Sequence, residues 1–493
     1  MGKWGERVKE KLRNWLQVQP AMQTALMLTQ TMTFETSVVR NQIWYRGDAS
    51  ELDQLYKSLP VDFTGRSRFW AAAPENEQIR KIHSGLPSLI VDTLAYIVKA
   101  DLDDVQFEGS GEDAWKNLVK ESLDFTELVG DAIVGTLVSG DGAFKLSINT
   151  DISADPIVEF WQADRVEYVR SNGKIIEIDF LSPHADHGKL YTLKEKYGRG
   201  YVRYELFDGK REVPLDSLPE LAALKPVEFP GDFIMAVPLH FYKNPKYPGR
   251  GKSIYETKLD DFDAFDEVIS QWMDALRAGR VAKYIPEDMI PRNPSNGALV
   301  TTAPVNSFGT QFIKVESMMN ETGKQGQIEV VQPEIRYDAF LSTYTAVLDL
   351  CLQGLISPAT LGIDLGRMSS ADAQREKKDV TGHTRNTITA ALERALPELV
   401  RVILMTCDIL RKRDPGRYEP SVNFGEYGAP SFDSRIETVG KAATANTMSI
   451  ETQVDELWGS SKDDVWKAEE VARIKQLRGI EVVDQPAVGD ELG

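Results

Sequence analysis

Residues 244–256 read NPKYPGRGKSIYE, and one sequence periodicity changes into another at this stretch. Before it, residues 143–241 contain short runs of strand-like alternation separated by turn signals such as Asn172-Gly173, which predict a compact antiparallel β region. After it, residues 253–281 carry apolar side chains every three or four positions, which predicts a long helix with Ser253 as its cap. We therefore interpret the stretch as an elbow between a β-rich region and a helix.

The letters Gly251-Lys252-Ser253 also resemble part of the phosphate-binding loop of nucleotide-driven enzymes. That loop needs a further glycine five residues before Gly251, so that successive backbone N–H groups can surround phosphates. Lys246 occupies this position, and Pro245 and Pro248 remove two N–H donors. An ATP-using DNA-packaging enzyme is thus an alternative supported by this motif alone. The sequence predicts no catalytic residue, no cofactor and no enzymatic activity.

The chain is strongly acidic, because 75 Asp and Glu residues against 57 Lys and Arg give its 493 residues a net charge of −18. Tight nucleic-acid binding normally requires basic residues that displace phosphate counterions. A simple DNA-holding protein is therefore disfavoured, whereas a protein past which DNA slides is not. A chain of this length is expected to divide into two or more units. No apolar run is long enough for a membrane helix, and no membrane partner is predicted.

The cysteines and histidines suggest no firm metal site. Cys351 and Cys407 both lie in apolar helical patterns, so we interpret them as core residues made in a reducing compartment. His184 and His187 flank Asp186 in a predicted hairpin. No third His or Cys is placed to complete a zinc shell, so solvated turn residues are the favoured interpretation and ion binding stays open.

Most other segments have a helical pattern. The basic amphipathic N-terminus predicts a surface helix, residues 71–99 predict two short helices, and residues 112–137 predict a further helical run. Residues 284–334 are interrupted by Pro and Gly and contain short strand-like pieces, which predicts a small module inserted between two helices. The remaining predictions are a helix at 335–356, a Gly- and Ser-rich loop at 357–370, a long helix at 371–413 kinked near Pro397, and helices at 433–479.

This order of elements resembles that of the portal proteins of tailed bacteriophages, and it is most similar to portals of siphophages that infect Gram-positive bacteria. The stretches similar to the family are GRGKSIYE at 249–256, LISPATLG at 355–362, SRIETVGKAA at 434–443, SIETQV at 449–454 and EEVARIK at 469–475. The resemblance covers nearly the whole chain, and each motif alone is moderately specific. The family often has Thr-Ala-Thr-Glu-Ile after its loop, whereas this chain has SSADA at 369–373, which leaves the end of the loop open.

The resemblance implies an α+β portal fold with an α/β wing, a two-helix stem, a small β-containing clip, a long kinked helix and a helical crown. On this chain the regions correspond to 1–252 (wing), 253–283 and 335–356 (stem), 284–334 (clip), 357–370 (tunnel loop), 371–432 (long helix and connector) and 433–493 (crown and acidic tail). It also implies a homo-oligomeric ring, a dodecamer, at the portal vertex of the virion capsid, assembled in the host cytoplasm. Double-stranded DNA would pass through the ring non-specifically during packaging and ejection.

The partners that the resemblance implies are the terminase large subunit and the head-completion adaptor, which dock at the clip, and the major capsid and scaffolding proteins. In that family the ATPase belongs to the terminase, which agrees with the missing glycine of the phosphate-binding loop. Another structural protein of the phage head, such as a minor capsid protein, is a further alternative.

Two sets of residues are predicted to meet the DNA. The tunnel-loop set, implied by the resemblance, is Leu361, Gly362, Ile363, Asp364, Leu365, Gly366, Arg367 and Met368. The candidates for lining the channel are the acidic residues of the first stem helix, Asp260, Asp263, Glu267 and Asp274. An acidic lining would not grip phosphates, and the apolar stripe Phe262, Phe265, Ile269 and Trp272 would pack between subunits. Amphipathicity alone is equally compatible with an acidic stripe that faces solvent outside the ring.

Overall fold

The structure is a computed structural model that describes residues 32–59, 68–72, 79–279, 282–286, 311–315, 329–331, 334–363, 371–425, 432–445, 447–459, 464–477 and 479. It divides into two compact units, Met1–Phe424 and Gly425–Gly493. Helices and sheets occur together, which confirms the predicted α+β class. The predicted N-terminal surface helix lies outside the described residues. Among the helices that are described, none combines the length and the apolar character needed to cross a membrane.

The elements are numbered in chain order. The helices of the first unit are α1 (Phe34–Arg46), α2 (Ala49–Ser58), α3 (Leu86–Ala100), α4 (Glu112–Glu121), α5 (Phe125–Ser139), α6 (Leu259–Ala278), α7 (Tyr337–Leu352) and α8 (Ala371–Leu410). The second unit contains α9 (Phe432–Thr444), α10 (Ile450–Trp458) and α11 (Asp464–Leu477). The strands are β1 (Gln106–Phe107), β2 (Asp141–Ser147), β3 (Ile157–Gln162), β4 (Val166–Ser171), β5 (Lys174–Asp186), β6 (Lys189–Gly198), β7 (Tyr201–Asp208), β8 (Arg211–Val213), β9 (Val227–Glu228), β10 (Ala236–His240), β11 (Ala282–Pro286), β12 (Gln311–Val315), β13 (Glu329–Val331) and β14 (Pro420–Ser421).

The antiparallel β region is confirmed. Strands β4 to β8 form a meander in sequence order with β9 added to β7, and β10, β2 and β3 form a second antiparallel sheet. Asn172 and Gly173 have φ values of 49° and 79°, the left-handed conformations that a two-residue hairpin turn between β4 and β5 requires. The turn residues in the sequence therefore fixed the pairing of these neighbouring strands.

A small three-stranded sheet lies in the chain between α6 and α7. Its order is β12-β11-β13, with β11 parallel to β12 and antiparallel to β13. Strands β12 and β13 confirm two of the three strand-like pieces predicted for the inserted module, while the third piece, ALVTT at residues 298–302, lies outside the described residues.

Three predicted helix boundaries are corrected. Residues 79–85 are not helical, because Gly85 adopts a left-handed conformation with φ of 70°, and α3 begins only at Leu86. The long helix predicted from Ser253 begins at Leu259, after a turn. The predicted helical run at 112–137 is two helices, α4 and α5, and Asp124 caps the second by accepting a hydrogen bond from Glu127 N–H. The long helix α8 continues through Pro397.

The core of the first unit joins the N-terminal helices, the sheet of β10, β2 and β3, and the ends of α6, α7 and α8. Among its largest fully buried side chains are Trp44, Tyr255 and Phe262. Cys351 and Cys407 are both buried, as predicted, and burial raises the pKa of the Cys351 thiol to about 12. The start of α6 is consequently anchored in a continuous apolar core.

Candidate functional site

The elbow at residues 244–256 uses its backbone N–H groups within the chain. Asn244 Oδ1 accepts from the N–H groups of Lys246 and Tyr247, at 2.9 and 3.1 Å. Five further N–H groups of the same stretch donate hydrogen bonds. Arg250 donates to Tyr247 O, Gly251 to Asp141 Oδ2, Lys252 to Tyr242 O, Ile254 to Leu137 O and Tyr255 to Ser253 Oγ. A phosphate-binding loop needs such donors free and convergent. Here they hold the elbow to its neighbours instead.

Arg250 is the central side chain of the elbow. Its Nε and Nη2 donate to the two carboxylate oxygens of Asp141, at 3.0 and 2.8 Å. Nη1 and Nη2 also donate to the carbonyls of Val166 and Ala163, at 2.7 and 2.8 Å. The Asp141 side chain is only 1% exposed, so the pair is shielded from water. One guanidinium thus joins the elbow to the start of β2 and the start of β4.

Two glycines let the backbones meet at this point. A Cβ placed on Gly251 would lie 2.1 Å from the carbonyl oxygen of Gly140, and one on Gly140 would lie 2.7 Å from the carbonyl oxygen of Gly251. Gly140 also has a left-handed φ of 101°. No side chain fits at either position without displacing the backbone, because contacts this short do not occur. Gly251 of the GRGKS motif therefore serves packing.

Ser253 does not cap the long helix as predicted. Its hydroxyl donates to Leu137 O at 3.0 Å and accepts from the N–H of Tyr255 at 3.1 Å. It initiates the turn that precedes α6, while Lys258 at the helix N-cap makes no side-chain cap hydrogen bond. The prediction of an elbow is confirmed, and its cap is corrected.

The polar face of α6 holds a strap, which we define as residues 68–72 and 79–84. Asp263, which is 5% exposed, accepts from the N–H groups of Phe69 and Trp70, at 2.8 and 3.2 Å. Burial raises the pKa of Asp263, and these two N–H groups oppose the increase. A carboxylate that is buried and bonded in this way presents no charge to a channel.

Asp266 binds the other end of the strap. Its Oδ2 lies 3.0 Å from Trp70 Nε1 and 2.7 Å from His83 Nδ1, and its Oδ1 accepts from the Ser84 N–H at 2.9 Å. The carboxylate is fully buried, at 0% exposure. One turn further, the hydroxyl of Ser270 accepts from Ile82 N–H at 3.0 Å. Asp263, Asp266 and Ser270 share one face at helical spacing, but the same spacing also fits a polar face in solvent, so the sequence alone does not reveal this role.

The other predicted channel candidates remain accessible. Asp260, Glu267 and Asp274 lie seven residues apart and therefore share a second face of α6. The Asp260 side chain is 76% exposed and pairs with Arg68 at 2.6 Å, and Glu267 accepts from Gln271 at 2.8 Å. Asp260 is thus exposed and Glu267 and Asp274 are half-buried along one acidic stripe, which Asp263 does not join.

Helices α6 and α7 pack against each other through aromatic rings. Trp272 stacks on Phe340 with ring centroids 6.0 Å apart and planes 7° apart, and Phe265 lies 5.1 Å from Tyr344. Phe262 and Phe265 are buried inside their own chain. The expectation that this stripe packs between subunits is therefore wrong for these two residues, because α7 and the core cover them.

A different set of apolar side chains is uncovered on the helix pair. Exposed members are Met273, Leu276, Tyr337, Leu341 and Leu350. Tyr337 is 64% exposed and Leu341 52% exposed, in the part of α7 farthest along the chain from the core contacts of Leu348 and Leu352. Large apolar residues that are exposed next to one another mark an interaction surface, whereas scattered single ones are normal on a monomer.

The base of the predicted tunnel loop is fixed to α8. The hydroxyl of Thr381 accepts from Ser357 N–H at 2.9 Å, and Thr384 donates to Leu355 O at 2.7 Å. Leu361 and Ile363 pack against the core, while Gly362 is exposed with a left-handed φ of 71°. Of the predicted tunnel-loop set, Asp364, Leu365, Gly366, Arg367 and Met368 lie outside the described residues.

The histidine pair does not form a metal site with its neighbours. His184 Nδ1 lies 2.7 Å from Glu220 Oε1, and His187 is a turn residue with φ of 46° whose side chain is 94% exposed. Within the part of the chain that the structure describes, no group of three or more His, Cys, Asp or Glu residues is placed to hold a metal ion.

Comparison with solved structures gave similarities of low score, among them two particle necks. No family model matches the chain, and no curated protein does. The neck of an empty GTA particle, computed with C6 symmetry, matches at 13% identity and a TM-score of 0.36 over 76% of this chain and 89% of that one. The neck of a native GTA particle, computed with C12 symmetry, matches at 12% identity and a TM-score of 0.32 over 78% and 89%. These scores are too low to establish a shared fold, and neither similarity assigns a function.

Proposed function

We propose that this chain is the subunit of a portal ring, through which double-stranded DNA enters and leaves a phage capsid. The observation that carries the proposal is the pair α6 and α7, two packed helices between which the chain forms a small separate sheet. In the portal resemblance these elements are the stem and the clip. The clip is then the docking site for the terminase and for the head-completion adaptor.

The uncovered apolar residues of the helix pair support assembly. Tyr337, Leu341 and Leu350 are exposed in the single chain, and burial of each would gain about 25 cal/mol per Å² of apolar surface. A contact between unlike surfaces of identical chains closes into a ring when its rotation allows. Tyr337 and Leu341 lie about one turn apart on the same face of α7 and are our candidates for one side of that contact.

The acidic stripe supports passage of DNA without retention. Asp260, Glu267 and Asp274 repeat along α6, and a ring would present them once in every subunit. DNA carries about one charge per 1.7 Å, so a basic lining would bind many phosphates and hold the duplex. We assign the acidic stripe to the channel wall, with Asp263 excluded because it binds the strap.

The elbow has a structural role in this proposal. Backbone N–H groups of the elbow donate hydrogen bonds to Asn244, Asp141 and other groups of the same chain, so they form no phosphate cradle around Lys252. The energy for packaging would then come from a separate ATPase. No observation in the described residues favours the alternative of an ATP-using enzyme.

Negative-stain electron microscopy of the purified chain tests the proposal. We expect closed rings with a central hole, formed without nucleotide. Leu341→Glu should abolish the rings, because it places a charge in the apolar contact, whereas Thr343→Glu on an exposed position of the same helix should retain them. A monomer that hydrolyses ATP, or rings that persist unchanged in Leu341→Glu, would contradict the proposal.

A further inference from the structure

A cluster of cationic side chains lies beside the elbow, and we call Arg170, His240, Lys243 and Arg394 the basic cluster. They come from the end of β4, the end of β10, the residue just before the elbow and the middle of α8. All four are exposed. None of the three Lys and Arg residues forms an ion pair with any residue that the structure describes. In a chain of net charge −18, such a group is unusual.

The two guanidinium groups are held in place by the backbone. Arg170 Nη2 donates to the carbonyl of Gly249 at 3.0 Å, and Arg394 Nε donates to the carbonyl of Ala390 at 2.9 Å. Each bond uses one of the five N–H donors of an arginine and leaves the rest of the planar fork available. An arginine positioned in advance loses less conformational entropy when it binds an anion.

The chain brings these residues together, because Lys243 pairs with Gly251 of the elbow, Arg170 contacts Gly249, and α8 packs against β10, which ends at His240. Partial burial lowers the pKa of His240, and the charges of Arg170, Arg394 and Lys243 lower it further. The charge of Arg170 also acts on Asp141, but Arg250 already pairs with that carboxylate through two hydrogen bonds. The cluster therefore contains three cations that form no ion pair with a described residue.

We infer that the basic cluster binds phosphate groups of double-stranded DNA, a contact that rests on the portal function proposed above. Arginine forks fit phosphate oxygens, and phosphate contacts by Arg and Lys position DNA without reading its sequence. Several cations close together match the dense, regular charge of a duplex. The acidic body of the protein would otherwise repel DNA, so a contact requires a place where cations are concentrated, and the basic cluster supplies one.

The test measures binding of a fluorescein-labelled duplex of about 30 base pairs by fluorescence anisotropy, with purified full-length protein between about 20 and 200 mM salt. The test variant is Arg170→Gln/Lys243→Gln/Arg394→Gln. The matched control is Lys189→Gln/Lys210→Gln/Arg211→Gln, which removes the same charge from exposed hairpin turns. We expect the test variant to bind the duplex about tenfold or more weakly. The slope of log binding constant against log salt concentration should be smaller in magnitude by roughly 2–3, since each phosphate contact contributes about 0.9. The control should stay within about twofold of the unaltered protein.

Three outcomes would overturn the inference: no duplex binding by the unaltered protein at the lowest salt, equal losses in both variants, or no loss in the test variant. Loss of ring assembly with DNA binding retained would also overturn it, because the cluster would then bind an acidic surface of a second copy. Ring images of the unaltered protein separate the two proposals. Closed rings without DNA binding at the cluster leave the portal function standing, whereas absence of rings removes the portal function itself.

Discussion

Arg250 and Asp141 are 109 residues apart in the chain and are joined by two hydrogen bonds of 3.0 and 2.8 Å. The same carboxylate accepts the N–H of Gly251 at 2.6 Å. A single buried anion therefore receives both the side chain and the backbone of the elbow. Arg250 also contacts the carbonyls of Ala163 and Val166 at the start of β4, so this pair helps to fix the direction in which the chain leaves the β region.

Replacement of Arg250 by Ala should destabilise the protein severely. It leaves the Asp141 carboxylate buried without its cation, and loss of one partner of a buried pair costs about 3–5 kcal/mol. Thermal unfolding of the purified protein measures the effect. The control is Lys252→Ala, which removes a neighbouring cation that holds no ion pair with any described residue and should leave unfolding unchanged. Similar unfolding temperatures for the two variants would show that the Arg250–Asp141 pair does not fix the elbow.

Replacement of Gly251 by Ala should also destabilise the elbow, by an amount on the order of 1–3 kcal/mol. The added Cβ would lie 2.1 Å from Gly140 O, and the obstacle is backbone, which cannot rotate away. Gly440→Ala is the matched control, since Gly440 lies within α9 with nothing within 4 Å of its added Cβ. That change should be neutral or slightly stabilising, because alanine favours a helix. A Gly251→Ala protein that unfolds at the unaltered temperature would contradict the packing role.

The features that the sequence predicted well are local ones. Asn172-Gly173 specifies its own turn, and the apolar spacing of α6, α7 and α8 needs only neighbouring residues. The features it missed depend on pairings across the fold. Nothing near Asp266 shows that His83, 183 residues away, will reach it, and an acidic residue on an amphipathic helix is solvated by default. Periodicity alone placed Asp263 and Asp260 on a common acidic side, whereas the strap buries only Asp263.

Replacement of Asp266 by Ala should release the strap from α6. It leaves the Trp70 indole N–H, the His83 ring and the Ser84 N–H without their common acceptor in a buried place. Each unsatisfied donor costs about 1–3 kcal/mol. Limited proteolysis should therefore cut within residues 68–84 in this variant. Glu267→Ala, which removes a carboxylate that accepts from Gln271 of the same helix, should leave the protease pattern unaltered, and early cleavage in both variants would show that the strap does not depend on Asp266.

The lowered pKa of His240 gives a pH prediction. A histidine whose pKa is lower in the folded than in the unfolded chain costs stability as pH falls through the unfolded value of about 6.5, because the unfolded chain takes up the proton first. Arg394→Gln removes one of the three charges that lower this pKa, so the pKa should rise towards 6.5. The pH dependence of diethyl pyrocarbonate modification at His240, followed by mass spectrometry, measures it. Lys210→Gln should leave that profile unchanged, and an equal profile in Arg394→Gln would show that Arg394 does not act on His240.

The acidic stripe of α6 predicts where DNA will bind if its charge is reversed. In Asp260→Lys/Glu267→Lys/Asp274→Lys, a channel wall becomes basic and should hold duplex DNA with a strong dependence on salt. Only a duplex with free ends can enter a closed ring, so linear DNA should bind more tightly than a nicked circle of the same length. The control reverses Asp208, Glu212 and Asp216, which are exposed at the edge of the large sheet, and should bind linear and circular DNA equally. Equal binding of both forms by the α6 variant would place the stripe on the outside of the ring, because an outer surface is reached by either form.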